Sequence, residues 1–225
     1  ETLADTEVTP QTVERSEDIR VDVAQLVQQV SNQLVITRGA GPGPLYYTAH
    51  LHVYLPVEQL PAVNRGIIVQ RRYTLATCDQ GVRCPDVKEA KVGDVIRVDL
   101  TIIAPHDLHY LVVEDMLPAG AEAIDTGLAT TSLLAQRPGL RRTAEETDRA
   151  MPWHWWHWYS RSELRDEKVV LFADYLPKGT YEYSYTMRAT TPGDFHVIPT
   201  VAWEFYFPEV FGRSEGRMFY IGQPR

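Results

Sequence analysis

Tyr181-Glu-Tyr-Ser-Tyr-Thr-Met-Arg-Ala189 decides the fold class. Its large apolar side chains fall on every second residue, Tyr181, Tyr183, Tyr185 and Met187, with Glu182, Ser184, Thr186 and Arg188 between them. Period two is the mark of a strand with one buried face, whereas a helix needs its apolar residues three and four apart. The same alternation runs through 95–104, where Ile96, Val98, Leu100 and Ile102 oppose Arg97, Asp99 and Thr101. It recurs in 67–77, with Ile67, Val69, Tyr73 and Leu75 against Gln70, Arg72 and Thr74. Residues 108–113, 168–173, 180–190 and 195–201 extend the series, and Gly/Pro turns separate its members. Short strands punctuated in this way predict an all-β chain built as an antiparallel β-sandwich. At most one short helix is expected, over 143–150, where Glu145 and Glu146 come early and Arg149 late, the order the helix dipole favours.

Upstream, Leu45, Tyr47, Ala49, Leu51 and Val53 alternate with Tyr46, Thr48, His50, His52 and Tyr54. The turn Gly39-Ala-Gly-Pro-Gly-Pro44 separates this run from Leu34-Val-Ile-Thr37, so the two read as an antiparallel strand pair. Residues 1 to about 18 are polar and aperiodic, and are expected to be a flexible leader. Pro56 and Pro61 cannot donate to a central ladder, which places a boundary there. The expected division is 1–60 as a first β segment, 61–66 as a linker and 67–225 as the sandwich.

Composition narrows the function. Hydrophobic residues are 44% and charged residues 23%, ordinary globular usage with enough apolar material for a core. The net charge of -8 and the lack of a basic run leave no footprint for a phosphate backbone, so no nucleic-acid partner is expected. No apolar stretch reaches the roughly 20 residues of a membrane span. The start, Glu1-Thr-Leu-Ala-Asp5, has neither region of a signal peptide, so the chain reads as a cut from something longer. Cys78 and Cys84 sit in a polar, turn-like run between two apolar segments, which suits a hairpin-loop disulfide and an oxidising compartment. Two free thiols are the alternative, and two ligands without a second pair do not close a zinc site.

No short motif with a known catalytic mechanism occurs, so no enzyme activity, cofactor or metal is expected. Met151-Pro-Trp-His-Trp-Trp-His-Trp158 packs four of the five Trp and two of the seven His into one loop. Trp153, Trp155, Trp156 and Trp158 could stack on sugar rings, giving an extracellular carbohydrate- or peptidoglycan-binding module as the alternative function. His154 and His157 could instead bind a metal, and the plain reading folds these rings over the end of the core. His50 and His52 share a strand face without a third ligand and read as surface histidines. Glu114 and Asp115 are adjacent, hence on opposite faces, and read as solubilising residues beside a turn rather than an acid/base pair.

Several runs share one pattern: Val92-Gly-Asp-Val-Ile-Arg-Val98, Val113-Glu-Asp-Met-Leu-Pro-Ala-Gly120, Glu163-Leu-Arg-Asp-Glu-Lys168, Leu176-Pro-Lys-Gly-Thr-Tyr181, Tyr185-Thr-Met-Arg-Ala-Thr-Thr-Pro-Gly193 and Phe205-Tyr-Phe-Pro-Glu-Val-Phe-Gly-Arg213. In order and spacing they resemble the last domain of bacterial alpha-2-macroglobulins. Asn32, Leu34, Ile36 and Gly43-Pro-Leu-Tyr-Tyr47 resemble the second half of that family's CUB-like domain. The resemblance implies a terminal macroglobulin-like sandwich, preceded by strands of a partial CUB-like sandwich. It also implies a non-catalytic part of a broad-range protease trap, secreted, cell-envelope-anchored or periplasmic. Its partners would be the rest of the parent chain, including a thioester domain and neighbouring macroglobulin domains, and target proteases reached through that parent. In thioester-bearing relatives the terminal domain lays a loop over the thioester. Here that loop is 203–216, and Trp203, Phe205, Tyr206 and Pro208 are its expected shielding residues, Phe205 standing where many relatives have Met.

Overall fold

The computed structural model describes residues 4–7, 9–16, 18–26, 31–50, 52, 54–78, 84–125, 140–143 and 160–223. The chain divides into two compact units, 1–52 and 53–225.

Among its described residues, the first unit holds little regular structure. Thr12 N–H donates to Thr9 O at 3.0 Å, closing a turn, and a 3-10 turn spans Val23–Gln25. Residues 31–50 form no strand, and Leu34, Val35, Ile36 and Leu45 stand exposed. The expected strand pair 34–37 with 45–54 is therefore not formed at the described positions. An alternating apolar pattern makes a strand only when other strands cover its apolar face, and an isolated pair is marginal in water.

The second unit is all-β. Its strands are β1 (Val63–Arg65), β2 (Ile68–Leu75), β3 (Glu89–Lys91), β4 (Val95–Ala104), β5 (Leu108–Met116), β6 (Ala121–Ala123), β7 (Arg141–Arg142), β8 (Ser160–Leu164), β9 (Lys168–Leu176), β10 (Gly179–Ala189), β11 (Gly193–Val197), β12 (Val201–Glu204), β13 (Phe207–Arg213) and β14 (Arg217–Gly222). A six-stranded sheet runs β1-β13-β12-β5-β9-β8, and a five-stranded sheet runs β2-β4-β10-β6 with β7 also on β10. All these pairings are antiparallel. A third sheet, β11-β14-β3, includes a parallel pairing of β14 with β3, so the third sheet is mixed rather than antiparallel.

The alternation read in the sequence is the register observed. Leu100 faces Tyr183, Val98 faces Tyr185 and Ile96 faces Met187, all six buried. The opposing sheet contributes Leu111, Val113, Val169, Leu171 and Ala202 to the same core. On β2 the core side carries Val69, Arg71 and Tyr73, so a cation lies where the pattern calls for an apolar residue. Phe219 from the third sheet meets Tyr73 edge-on at 5.4 Å.

Residues ahead of 67 belong to this unit. A 3-10 turn at Val57–Gln59 buries Val57, and Val63, Asn64 and Arg65 of the stretch read as a linker pair with Arg213, Gly212 and Phe211. The approach is close: a Cβ at Gly216 would lie 2.0 Å from Val57 O, and Gly216 N–H donates to Leu60 O at 3.0 Å. Cys78 and Cys84 form a disulfide between β2 and β3, Cα atoms 6.0 Å apart, as one of the sequence alternatives required. The expected helix at 143–150 lies, apart from Thr143, outside the described residues.

Candidate functional site: an aromatic hairpin tip

β12 and β13 form a hairpin in which Glu204 faces Phe207, leaving Phe205 and Tyr206 as a two-residue loop. Such loops usually rely on Gly or Asn with positive φ. Neither is present, and neither Phe205 nor Tyr206 has positive φ. The ladder instead slips: Trp203 faces Phe211 while Glu204 faces Phe207, so residues 208–210 bulge out of β13. Pro208 occupies that bulge, where its missing N–H interrupts no ladder bond.

The geometry pushes three consecutive rings into water. Phe205 is 61% exposed, Tyr206 65% and Phe207 58%. Tyr206 meets Phe205 edge-on at 5.2 Å and Tyr110 edge-on at 5.1 Å. Neighbouring β5 anchors the tip: Phe205 N–H donates to Tyr110 O at 2.9 Å, and His109 N–H donates to the buried Glu204 carboxylate at 2.7 Å. Tyr110 has φ 52, a left-handed backbone rare outside Gly, Asn and Asp. Beside the tip, the His109 ring lies 5.2 Å from that of Tyr175, whose hydroxyl donates to Asp107 at 2.7 Å. The Lys178 N–H bond, and then this hydroxyl, hold the Asp107 carboxyl below its usual range.

Of the expected shielding residues, Phe205 and Tyr206 lie together at the tip, Trp203 lies further back along β12 and Pro208 lies in the bulge. Sequence reasoning missed Tyr110 and Phe207. Phe207 was legible as a third ring in the run, whereas nothing local to Tyr110 announces a left-handed backbone. Trp153, Trp155, Trp156 and Trp158, with His154 and His157, lie outside the described residues. Among the described residues, no three His, Cys, Asp or Glu side chains converge as a metal site would require. The tip carries rings and backbone bonds, a surface suited to covering a partner and excluding water.

A second cluster corrects the reading of Asp115 as a solubilising residue. Glu114 does face outward and pairs with Lys168 at 2.8 Å, but Asp115, pointing the other way, is fully buried against Arg71 at 2.7 Å. The signal was Arg71, on the core side between Val69 and Tyr73, because a buried cation requires a buried anion.

Residues 66–209 match the family described as the Bacterial Alpha-2-macroglobulin MG10 domain. Among curated relatives, the alpha-2-macroglobulin homolog of Nostoc is 30% identical over 78% of this chain and 9% of its own length. The alpha-2-macroglobulin of Thermotoga maritima is 29% identical over 61% of this chain and 8% of its own length. This chain thus spans about a tenth of either relative. Escherichia coli alpha-2-macroglobulin activated by porcine elastase superposes with a TM-score of 0.55 at 19% identity, over 73% of this chain and 14% of that one, a likeness of fold.

Proposed function

Since the chain belongs to the bacterial alpha-2-macroglobulin family, we propose that it is a non-catalytic terminal domain of a broad-range protease trap whose 203–216 hairpin covers a thioester elsewhere in the parent protein. The observation that carries this reading is the exposure of Phe205, Tyr206 and Phe207 at a tip anchored to β5. Contiguous exposed aromatic surface on an otherwise well-packed domain calls for a partner, and a ring laid over a thioester would keep water from its carbonyl. That relatives extend far beyond this chain, and that one was captured after activation by elastase, supports a larger parent acted on by proteases. The segment up to residue 52, rather than 60, is in this reading half of a CUB-like domain, whose exposed Leu34, Ile36 and Leu45 await the other half. The disulfide favours an extracytoplasmic setting.

The test uses the intact parent. Methylamine attacks a thioester carbonyl, its nitrogen bonding to the acyl carbon while the C–S bond breaks and the sulfur leaves as a titratable thiol. Replacing Phe205 and Tyr206 together by alanine is expected to accelerate thiol release by methylamine and by water before any protease is added. Unchanged release would end the shielding role. An intact parent that fails to hold elastase after being cut by it would end the trap role.

A further inference from the structure

We infer that Tyr110 is the positioning residue of the aromatic tip, fixing where Phe205 and Tyr206 point. Two consecutive residues of β5 grip two consecutive residues of the hairpin: His109 N–H binds the Glu204 carboxylate, and Tyr110 O accepts the Phe205 N–H. The Tyr110 ring then meets the Tyr206 ring at 89°, and the Tyr206 ring meets Phe205 at 87°, a chain of three rings joined by two edge-on contacts that starts from the strand. This arrangement requires φ 52 at Tyr110, a conformation glycine would adopt without strain. A tyrosine there has a cost, and the contacts made by its ring and carbonyl are what offset it. The hairpin has no turn residue of its own to set its direction, since its loop is Phe205-Tyr206 and β13 bulges behind it. The direction of the tip is therefore set from β5. The purpose of this positioning rests on the cover reading above, but the positioning itself can be tested without it.

The experiment exposes the full 225-residue chain to chymotrypsin and follows cleavage after Phe205 and Tyr206 by mass spectrometry. Tyr110→Gly keeps the backbone and removes the ring, whereas Tyr110→Phe keeps the ring. Tyr110→Gly is expected to melt no lower than wild type, yet to be cut at the tip roughly fivefold faster, because an edge-on ring pair restrains local opening by about that factor. Tyr110→Phe is expected to match wild type in both. Equal cutting of all three, equal acceleration in both variants, or a lower melting temperature for Tyr110→Gly alongside faster cutting would overturn the inference. If Tyr110→Gly loosens the tip but leaves methylamine reactivity of the intact parent unchanged, positioning stands and the cover reading fails.

Discussion

Arg71 Nη1 donates to Asp115 Oδ1 at 2.7 Å across the core of the sandwich, with the two side chains 2% and 0% exposed. Arg71 comes from the five-stranded sheet and Asp115 from the six-stranded one, so the pair ties the layers together. Arg71 Nη1 also donates to Ile198 O at 2.9 Å, and Asp115 accepts from Tyr185 Oη and Thr200 Oγ1, both at 2.8 Å, while Arg71 Nη2 is buried without a hydrogen-bond partner among the described residues. Burial alone would make Arg71 easier to deprotonate, but Tyr73 and Asp115 beside it outweigh that and keep it charged.

Removing one partner strands the other. Asp115→Ala should cost about 3–5 kcal/mol, the usual penalty for an uncompensated buried charge. Pairing Arg71→Met with Asp115→Leu should restore part of the loss, the remainder being the Tyr185 and Thr200 hydroxyls left without their acceptor. Urea unfolding of both variants decides the matter, and a double variant no more stable than the single would show that the pair is not coupled in this way.

Alkaline pH should unfold the domain sooner than surface tyrosines would predict. Burial raises the Tyr73 hydroxyl to about 12, and burial followed by the Asp115 charge holds Tyr185 well above its ordinary value. In the unfolded chain both ionise near about 10. Their contribution is intact below that pH and disappears as pH rises through the folded values, at about 1.4 kcal/mol per pH unit for each tyrosine. The Tyr73 hydroxyl makes no hydrogen bond of good geometry, so Tyr73→Phe should leave stability near pH 7 almost unchanged and flatten the decline above pH 10. Equal alkaline slopes for wild type and variant would contradict this.

Gly216→Ala should detach the segment ahead of β1. Its new Cβ would sit 2.0 Å from Val57 O, which must move and take with it the bond between Gly216 N–H and Leu60 O. Overpacking of this kind costs about 1–3 kcal/mol. Limited proteolysis should then cut near residues 55–62 in the variant and spare them in the wild type.

Replacing both Cys78 and Cys84 by serine should lower stability by about 2 kcal/mol, the chain-entropy value for so short a loop. Thermal melts with and without dithiothreitol provide the check: reductant should shift the wild type towards the double variant and leave the variant where it was.

Where side chains alternate strictly, the chain announced its own structure. The register 95–104 against 179–189 places the residues assigned inward from the pattern on the buried face, because a strand covered on one side allows no other phase. The same pattern misled over 45–50, where alternation is present but the described residues form no strand and stand exposed. The hairpin tip was placed within 203–216 only through the family resemblance, since Phe205-Tyr206 carries no Gly or Asn to mark a two-residue turn. Its direction was not readable, because it depends on a tyrosine seven strands earlier in sequence order that adopts a glycine-like backbone.

The sequence by itself determined that the chain is all-β and which strands carry the core, both consequences of local periodicity and turn chemistry. Only the tertiary structure decided that Asp115 is a buried counter-charge for Arg71, that residues from Val57 onward close the sandwich, and that Tyr110 aims the tip. Each of these joins positions far apart in the chain, and such pairings are set by which faces meet in the folded core rather than by any pattern within one segment.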